Sequence, residues 1–333
     1  MLGSACLSTP VEVPEVSERV VISDGWLAMG TFFDVDLRVE SEEVPAARDW
    51  LLRARQEIAR LEAIYSKYDP TSEISKLNRA LERGELQAQP TPVSLELTAL
   101  VFESAEVWAR TGGAFDITVG PLIDVWQQAV ADNAWPSDAQ LRTAKRRSGM
   151  DKLLLGKTGL RVRSPGVRID LDGISKGAVL DHLGNEFRAQ FPNAAALLSF
   201  GESSILAIGD PDGQGWRLGA TSRDPEVGEL TQLTLRNRAL SISSSVGSVS
   251  EIQGERISHV VDARTGQAVR GTVEAIVVSA SATDADAWST ALLALGARKE
   301  SIQMVERADL DAYVYESTGR TVASTDWDGF VSF

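Results

Sequence analysis

The sequence predicts an α+β fold, because helical and strand-like segments are mixed without a regular strand–helix–strand alternation. Apolar residues recur at helical spacing through much of the first half, whereas short strand-like runs separated by Gly, Asp and Ser dominate the second half. No internal repeat, low-complexity tract or linker interrupts residues 20–333, so we expect a single domain there. Residues 1–18 are predicted to form an N-terminal tether.

The first half is predicted to open with two strands within residues 20–39, since Phe33-Asp34-Val35-Asp36-Leu37-Arg38 alternates between apolar and polar side chains. Met29-Gly30-Thr31 supplies a tight turn between them. The segment 45–65 has the apolar spacing of an amphipathic helix, which Tyr68-Asp69-Pro70 then interrupts. Further elements follow as a short helix capped by Ser72, helices over about 95–111, 118–131, 137–149 and 175–190, and short strands between 153 and 169.

The second half is predicted to be rich in strands, since β-branched and apolar runs alternate with turn-forming clusters. These strands are 195–199, 216–221, 230–235, 259–261 and 273–281. Two helices over about 284–296 and 299–306 follow, and then a terminal strand over 312–317.

The composition excludes several classes of function. With 33 Lys+Arg against 47 Asp+Glu, the formal net charge of −14 disfavours nucleic acid as a partner. No stretch reaches the roughly 18 apolar residues that a membrane helix needs. Cys6 is the single cysteine, and His182 and His259 are the only histidines. A cysteine-rich zinc site and a Cys–His–Asn protease arrangement therefore lack their residues.

Cys6 follows the small residues Gly3-Ser4-Ala5 and precedes a polar stretch to about residue 18, a pattern that resembles the end of a bacterial lipoprotein signal. The basic and apolar regions of such a signal do not appear in the sequence, and Gly3 matches it poorly. The alternative is an incidental cysteine in a frayed N-terminus. The first interpretation places the protein at the periplasmic face of the cytoplasmic membrane, with a lipid anchor on Cys6.

Asp286 and Thr290 form the first candidate site, because positions i and i+4 of a helix lie on one face about one turn apart. A carboxylate and a hydroxyl in this arrangement suit a hard cation such as Mg²⁺, which prefers oxygen ligands and leaves positions open for phosphate. The alternative is that Asp284 and Asp286 favour the positive end of the helix and bind nothing.

Two turns form the other candidates. Asp170-Leu171-Asp172-Gly173-Ile174-Ser175-Lys176-Gly177 leads into a helix, and it offers backbone N–H groups, a carbonyl and a lysine to a phosphate. Ser258-His259-Val260-Val261-Asp262-Ala263-Arg264-Thr265-Gly266 places a histidine before a turn. A histidine titrates near neutrality and can accept a proton in catalysis. The alternative is structural, with Asp262 and Thr265 holding the turn and Arg264 paired to a carboxylate.

Taken together and in this order, these segments resemble the FAD:protein FMN transferase family, the ApbE-like proteins. The matching segments cover about residues 27–297, and they are Met29-Gly30-Thr31, Tyr68-Asp69-Pro70, Ser72-Glu73-Ile74, Leu77-Asn78, Gly112-Gly113-Ala114-Phe115-Asp116, Thr118-Val119-Gly120-Pro121-Leu122, Trp126, Asp170-Leu171, Gly173–Gly177, Asp181, Ser258-His259, Asp262, Arg264-Thr265-Gly266, Ala285-Asp286-Ala287-Trp288 and Thr290-Ala291-Leu292. No single segment is specific, but the ordered set is.

The resemblance implies an ApbE-like (T-fold-like) α+β fold of mixed sheets with flanking helices, whose central cleft between two lobes holds the flavin. Members of the family cut the pyrophosphate of FAD and attach FMN to a Ser or Thr of an acceptor protein, releasing AMP. The family acceptors are membrane-associated electron-transfer subunits. By position, Mg²⁺ would be held by Gly173, Asp286 and Thr290. The flavin nucleotide would be lined by Met29, Tyr68, Ala114, Phe115, Asp116, Asp170, Lys176, His259 and Val260, and the catalytic residues would be His259 and Asp286.

The sequence departs from the family pattern at three places. Gly201-Glu202-Ser203 stands where the family has Gly-Gly-Asp/Asn, Ser243–Gly247 replaces a Thr-Ser-Gly turn, and Ser289 stands where some members carry a second aspartate. Glu202 would oppose phosphate binding if it faced the cleft. Two alternatives therefore stay open, hydrolysis of FAD to FMN and AMP, and a catalytically silent FAD-binding protein.

Overall fold

The computed structural model describes residues 19–85, 90–156, 159–201, 203–222, 229–246 and 249–331. The helices in this part of the chain are α1 (Val44–Tyr65), α2 (Glu73–Glu82), α3 (Leu95–Arg110), α4 (Gly120–Ala131), α5 (Asp138–Arg147), α6 (Ser175–Gln190), α7 (Ala282–Leu295) and α8 (Lys299–Arg307). Each of these helices lies within a few residues of a predicted one. No helix among the described residues is both long enough and apolar enough to cross a membrane.

The strands are more numerous than predicted. In chain order they are β1 (Val20–Ala28), β2 (Thr31–Val39), β3 (Leu153–Gly156), β4 (Gly159–Val162), β5 (Ala195–Phe200), β6 (Ser204–Ile208), β7 (Trp216–Thr221), β8 (Glu229–Leu235), β9 (Arg238–Ser244), β10 (Val249–Ile252), β11 (Glu255–Ser258), β12 (Val261–Asp262), β13 (Gln267–Ala268), β14 (Thr272–Ser279), β15 (Asp311–Glu316) and β16 (Thr321–Ala323). Eight of them form the central sheet in the order β1-β2-β5-β6-β9-β14-β15-β16, with every neighbouring pair antiparallel. The predicted α+β class is confirmed.

The turn between β1 and β2 is as tight as predicted. Met29 and Gly30 both have positive φ, at 50° and 73°. This left-handed pair of residues matches the twist of the two flanking strands. The alternation predicted for β2 is also present, since Phe33, Val35 and Leu37 are buried and Phe32 and Asp34 are exposed.

The central sheet separates two apolar layers, and a third cluster lies beside it. The larger core lies between the sheet and helices α1, α6, α7 and α8, with α7 packed on β9, β14 and α6. The opposite face of the sheet is covered by the β7–β8 hairpin around Trp216, Leu233 and Trp327. The third cluster joins α4 and α5 to the hairpins β10–β11 and β12–β13, around Leu122 and Trp126.

Several strand predictions were wrong. Strands β6 and β9 were not predicted, because all five side chains of β6 are buried and leave no alternation, and β9 contains three serines. Of the predicted strand at 259–261, only Val261 lies in a strand (β12); His259 and Val260 connect β11 to β12, and Val260 N–H donates to the hydroxyl of Ser258 at 3.1 Å. Ser243, expected in a turn, lies within β9.

Candidate active site

A cavity of about 460 Å³ gathers nearly all the predicted site residues. Its lining includes Tyr68, Ala114, Phe115, Asp116, Asp170, Gly173, Lys176, His259, Val260, Asp286 and Thr290. Met29 lines a neighbouring cavity of about 580 Å³, which shares Tyr68, Asp172, Lys176 and Ser203 with the first. A larger groove of about 740 Å³ beside Arg147 contains none of the predicted residues. Residues far apart in sequence therefore meet at one place between the large core and the third cluster.

Helix α7 is anchored at its N-terminus by Asp181 of α6. This carboxylate accepts hydrogen bonds from the backbone N–H groups of Ala282 at 2.8 Å and Thr283 at 2.9 Å. It also accepts from the hydroxyls of Ser281 and Thr283, both at 2.7 Å. A carboxylate at a helix N-terminus satisfies N–H groups that have no partner within the helix. The direction of α7 relative to α6 is fixed by these four bonds.

Asp286 follows in the next turn of α7 and is almost fully buried, with 3% of its surface exposed. Its Oδ2 accepts from the backbone N–H of Gly177 at 3.0 Å. Its Oδ1 lies 3.3 Å from the hydroxyl of Ser204 and 3.5 Å from that of Ser241. All these donors are neutral, and within the described part of the chain no lysine or arginine forms an ion pair with Asp286. Since burying an unpaired negative charge is costly, this carboxylate is suited to a bound cation.

Thr290 lies one turn beyond Asp286 and packs on the Gly173 turn. A Cβ built on Gly173 would lie only 3.0 Å from Thr290 Oγ1, so the backbone there approaches the hydroxyl closely. Within the described ranges, no cluster of three or more His, Cys, Asp or Glu side chains is arranged to hold a metal. A cation here would therefore be held by one carboxylate with hydroxyl and carbonyl oxygens, the ligand types that Mg²⁺ prefers.

The opposite wall carries a partly buried ion-pair network that centres on Lys67. Its Nζ lies 2.5 Å from Asp170 Oδ2 and 2.8 Å from Asp172 Oδ2, and the Tyr68 hydroxyl donates to Asp172 at 3.0 Å. Burial alone would lower the pKa of Lys67, but the two carboxylates outweigh burial and raise it. Burial and Asp172 together raise the pKa of Tyr68. Lys67 therefore stays charged and holds both carboxylates at the cavity.

The backbone directly before Asp170 is held in place by Asn78 of α2. The Asn78 side chain donates to the carbonyl of Ile169 and accepts from its N–H group, both at 2.8 Å.

Asp116 lines the cavity and also holds a turn, since it accepts from the N–H of Thr118 at 2.8 Å and from that of Met150 at 3.1 Å. Burial raises the pKa of the Asp116 carboxyl despite these hydrogen bonds.

His259 is exposed at the cavity wall formed with Val260 and Val261. The turn that follows has the predicted structural role. Arg264 pairs with Asp262 through two contacts of 3.0 Å and donates to the carbonyl of Ala294 at 2.9 Å, which ties the turn to α7. The exposed side chain of His259 therefore lies at the cavity, and Asp262 and Arg264 hold the turn beside it.

Residues 29–314 match the model of the ApbE family. The chain belongs to this family. It is 30% identical to the FAD:protein FMN transferase of Klebsiella pneumoniae over 335 residues, which cover 96% of this chain and 90% of that protein. It is 28% identical to the FAD:protein FMN transferase of Escherichia coli K12, over 98% of this chain and 93% of that protein. The predicted family is confirmed.

The fold is also that of solved ApbE proteins. The crystal structure of the ApbE protein of Thermotoga maritima superposes with a TM-score of 0.83 at 23% identity, covering 94% of this chain and all of that one. The apo form of the Pseudomonas stutzeri flavinyl transferase ApbE gives a TM-score of 0.80 at 22% identity, covering 95% and 98%.

In this ApbE protein, some cavity residues had escaped prediction. Lys67, Asp172, Ser203 and Ser243 all line the cavity. The repeat of aspartates at 170 and 172 beside a glycine turn was a signal for Asp172, but Ser203 directly precedes β6 and Ser243 lies near the end of β9, and neither strand was predicted. Glu202, Gly247 and the tether with Cys6 lie outside the described residues, so their predicted effects stay predictions.

Proposed function

We propose that this chain is an FAD:protein FMN transferase that depends on Mg²⁺ and transfers FMN from FAD to a Ser or Thr hydroxyl of an acceptor protein. The names of its relatives from Klebsiella pneumoniae and Escherichia coli support the activity. The observation that carries the proposal is that one cavity contains three features. These are the oxygens of Gly173, Asp286 and Thr290, here called the metal seat, together with the Lys67 network and His259.

The proposed reaction breaks one phosphoanhydride bond and forms one phosphoester bond. The acceptor hydroxyl oxygen attacks the phosphorus of the FMN half of FAD. The bond from this phosphorus to the bridging oxygen breaks, and AMP leaves with that oxygen. The hydroxyl proton must leave as the new ester forms, so a base within reach of the acceptor is required.

The residues that line the cavity have different proposed roles in binding the metal, the flavin nucleotide and the acceptor. Oxygens of Gly173, Asp286 and Thr290 would hold Mg²⁺, which supplies neutralisation of the charge on the phosphoryl oxygens. Tyr68 presents an exposed ring between the two cavities, which suits stacking on the flavin or adenine ring. Lys176 is attached to the first turn of α6 and carries a positive charge to the phosphates. His259 accepts the proton of the acceptor hydroxyl.

The acceptor and the location of the enzyme are proposed from the family resemblance. The acceptor is a membrane-associated electron-transfer subunit with a Ser/Thr site. An anchor on Cys6 would hold the enzyme at the periplasmic face of the membrane, next to such a partner.

The purified chain should be mixed with FAD, MgCl₂ and a candidate acceptor, and intact masses recorded. We expect one FMN to be added to the acceptor and AMP to appear in equal amount, both abolished by EDTA. FMN and AMP formed without an adduct would instead identify hydrolysis. FAD retained without turnover across several acceptors would identify a binding protein.

A further inference from the structure

A row of serine hydroxyl groups lies next to Asp286 and Thr290 of the metal seat. Ser204 lies on β6, Ser241 and Ser243 lie on β9, and Ser289 lies on α7 between the two seat residues. Ser204, Ser241 and Ser289 are buried at 2% exposure or less, whereas Ser243 reaches the cavity. Serine hydroxyls on two strands and one helix therefore gather around the Asp286 carboxylate and the Ser289 hydroxyl.

The hydroxyl of Ser289 is the centre of this row. It donates to the carbonyl of Asp286 at 3.0 Å, and it lies 3.1 Å from the hydroxyl of Ser241 and 2.8 Å from that of Ser243. A serine hydroxyl has one proton and two lone pairs. With its proton on the Asp286 carbonyl, Ser289 can accept from Ser243, its nearest hydroxyl, while Ser241 can donate either to Ser289 or to Asp286 Oδ1. In this arrangement the proton of Ser243 points inward, away from the cavity.

This direction leaves acceptor oxygens facing the cavity. The hydroxyls of Ser243 and Thr290 lie 3.4 Å apart, longer than the 2.8 Å from Ser243 to Ser289, so the shorter contact favours donation from Ser243 to Ser289. Thr290 uses its own proton on the Asp286 carbonyl at 3.3 Å. Both hydroxyls then present lone pairs side by side to the space in front of Asp286.

We propose that Ser243 is a further oxygen donor of the metal seat, and that Ser289 is the positioning residue that orients its hydroxyl. The inference rests on the Mg²⁺ dependence of the proposed function. Its physical basis is the donor set. A seat with a single carboxylate has little charge to offer, and an extra neutral oxygen with its proton turned away adds to what a hard cation needs.

The first test measures Mg²⁺ affinity by titration calorimetry, with and without saturating FAD, on chains that remain folded by circular dichroism. Ser243→Ala should weaken Mg²⁺ binding about tenfold, the usual lower cost of disturbing a metal's surroundings. Ser104→Ala is the control, because Ser104 does not line the cavity and donates to the Leu100 carbonyl. Equal affinity in the Ser243→Ala and parent chains would overturn the inference, as would a parent that binds no Mg²⁺ under either condition.

The second test asks whether Ser289 acts through Ser243. Ser289→Ala alone should weaken Mg²⁺ about fivefold, the factor for one hydrogen bond of about 1 kcal/mol. In a chain that already carries Ser243→Ala, the same substitution should change the affinity by less than about twofold. Full additivity of the two effects would show that Ser289 does not orient Ser243 and would overturn that part.

The third test changes the donor atom. Ser243→Cys replaces the oxygen by a soft sulfur, so we expect weaker Mg²⁺ binding together with tighter Cd²⁺ binding than in the parent, which carries only Cys6. Unchanged Cd²⁺ affinity would count against direct ligation. These readouts need no acceptor. If the parent transfers FMN but its Mg²⁺ affinity does not depend on Ser243, the inference alone is refuted. If the Mg²⁺ affinity depends on Ser243 but no FMN is transferred, the proposed function alone is refuted.

Discussion

The carboxylate of Asp286 accepts a hydrogen bond of 3.0 Å from the backbone N–H of Gly177. These residues belong to the two segments that the sequence singled out separately, one on α7 and the other at the start of α6. Gly177 has no Cβ, and a Cβ built there would lie 2.2 Å from the Ala282 carbonyl oxygen. The absence of this one atom allows the two helices to approach closely enough for Asp286 to accept this hydrogen bond.

Gly177→Ala should therefore destabilise the protein, although alanine favours a helix interior by up to about 1 kcal/mol over glycine. The clash with backbone should cost about 2 kcal/mol net and displace Asp286. Gly156→Ala, at a position with open space around its Cβ, is the control and should change stability little. Urea unfolding measures both, and a more stable Gly177→Ala chain would mean that α6 and α7 are not in close contact.

Lys67→Met should lower the free energy of unfolding by about 3 kcal/mol, because it leaves Asp170 buried beside Asp172 without a cation. Adding Asp170→Asn should restore part of the loss. Arg83→Met, which removes the exposed pair with Glu85, is the control and should change the stability little. A loss from Lys67→Met no larger than that of the control would contradict the stabilising role of the Lys67 network.

Alkaline pH should reveal the same network. The pKa of Lys67 is raised above its ordinary value, so the folded chain keeps this proton when the unfolded chain has lost it. The contribution of Lys67 to stability is then complete below about pH 10.4 and falls as pH rises through the folded-state pKa. Unfolding free energies of the parent should fall more steeply above this pH than those of Lys67→Met. Parallel curves would be the contrary result.

Tyr68→Ala should weaken FAD binding about tenfold, because the 77% exposed ring of Tyr68 can stack on a planar ligand. Tyr68→Phe keeps the ring and removes only the hydrogen bond to Asp172, so its FAD dissociation constant should stay within about threefold of the parent. Quenching of flavin fluorescence measures both. If Tyr68→Phe and Tyr68→Ala weakened FAD binding equally, the hydroxyl of Tyr68 and not its ring would be responsible for the affinity.

His259→Gln should reduce the rate of FMN transfer about 100-fold while leaving FAD affinity unchanged, since a general base acts on the acceptor and not on FAD. His182→Gln is the control at the other histidine. His182 lies on α6, and its Nε2 is 2.8 Å from Oε1 of Glu57 on α1. Single-turnover labelling with mass detection gives the rate. Transfer at the parental rate in His259→Gln would assign the base to another group.

The sequence predicted the residues of the cavity better than the strands behind it. Asp286 and Thr290 were found from helical spacing, and Met29-Gly30 from turn chemistry, because both signals are local. The contact of Asp286 with Gly177, Ser204 and Ser241 joins residues up to 109 positions apart, which no periodicity reports. These contacts depend on helix packing and on the order of strands in the sheet.

The fully buried β6 and the serine-rich β9 explain why the hydroxyl row was missed. A strand buried on both faces shows no alternation, and serine has weak β propensity. Lys67 was missed for another reason, since its role appears only when Asp170 and Asp172 fold back onto the end of α1.

The most direct test of the proposed function is the acceptor-labelling assay on Asp286→Asn, with Asp284→Asn as the control from the same helical turn. The amide keeps the shape of the buried side chain but removes the charge that would hold Mg²⁺. We predict that Asp286→Asn folds and lowers the rate of FMN addition to the acceptor by at least about 100-fold. Asp284→Asn should label the acceptor at close to the parental rate. A folded Asp286→Asn chain that labels the acceptor as fast as the parent would contradict the proposed metal seat.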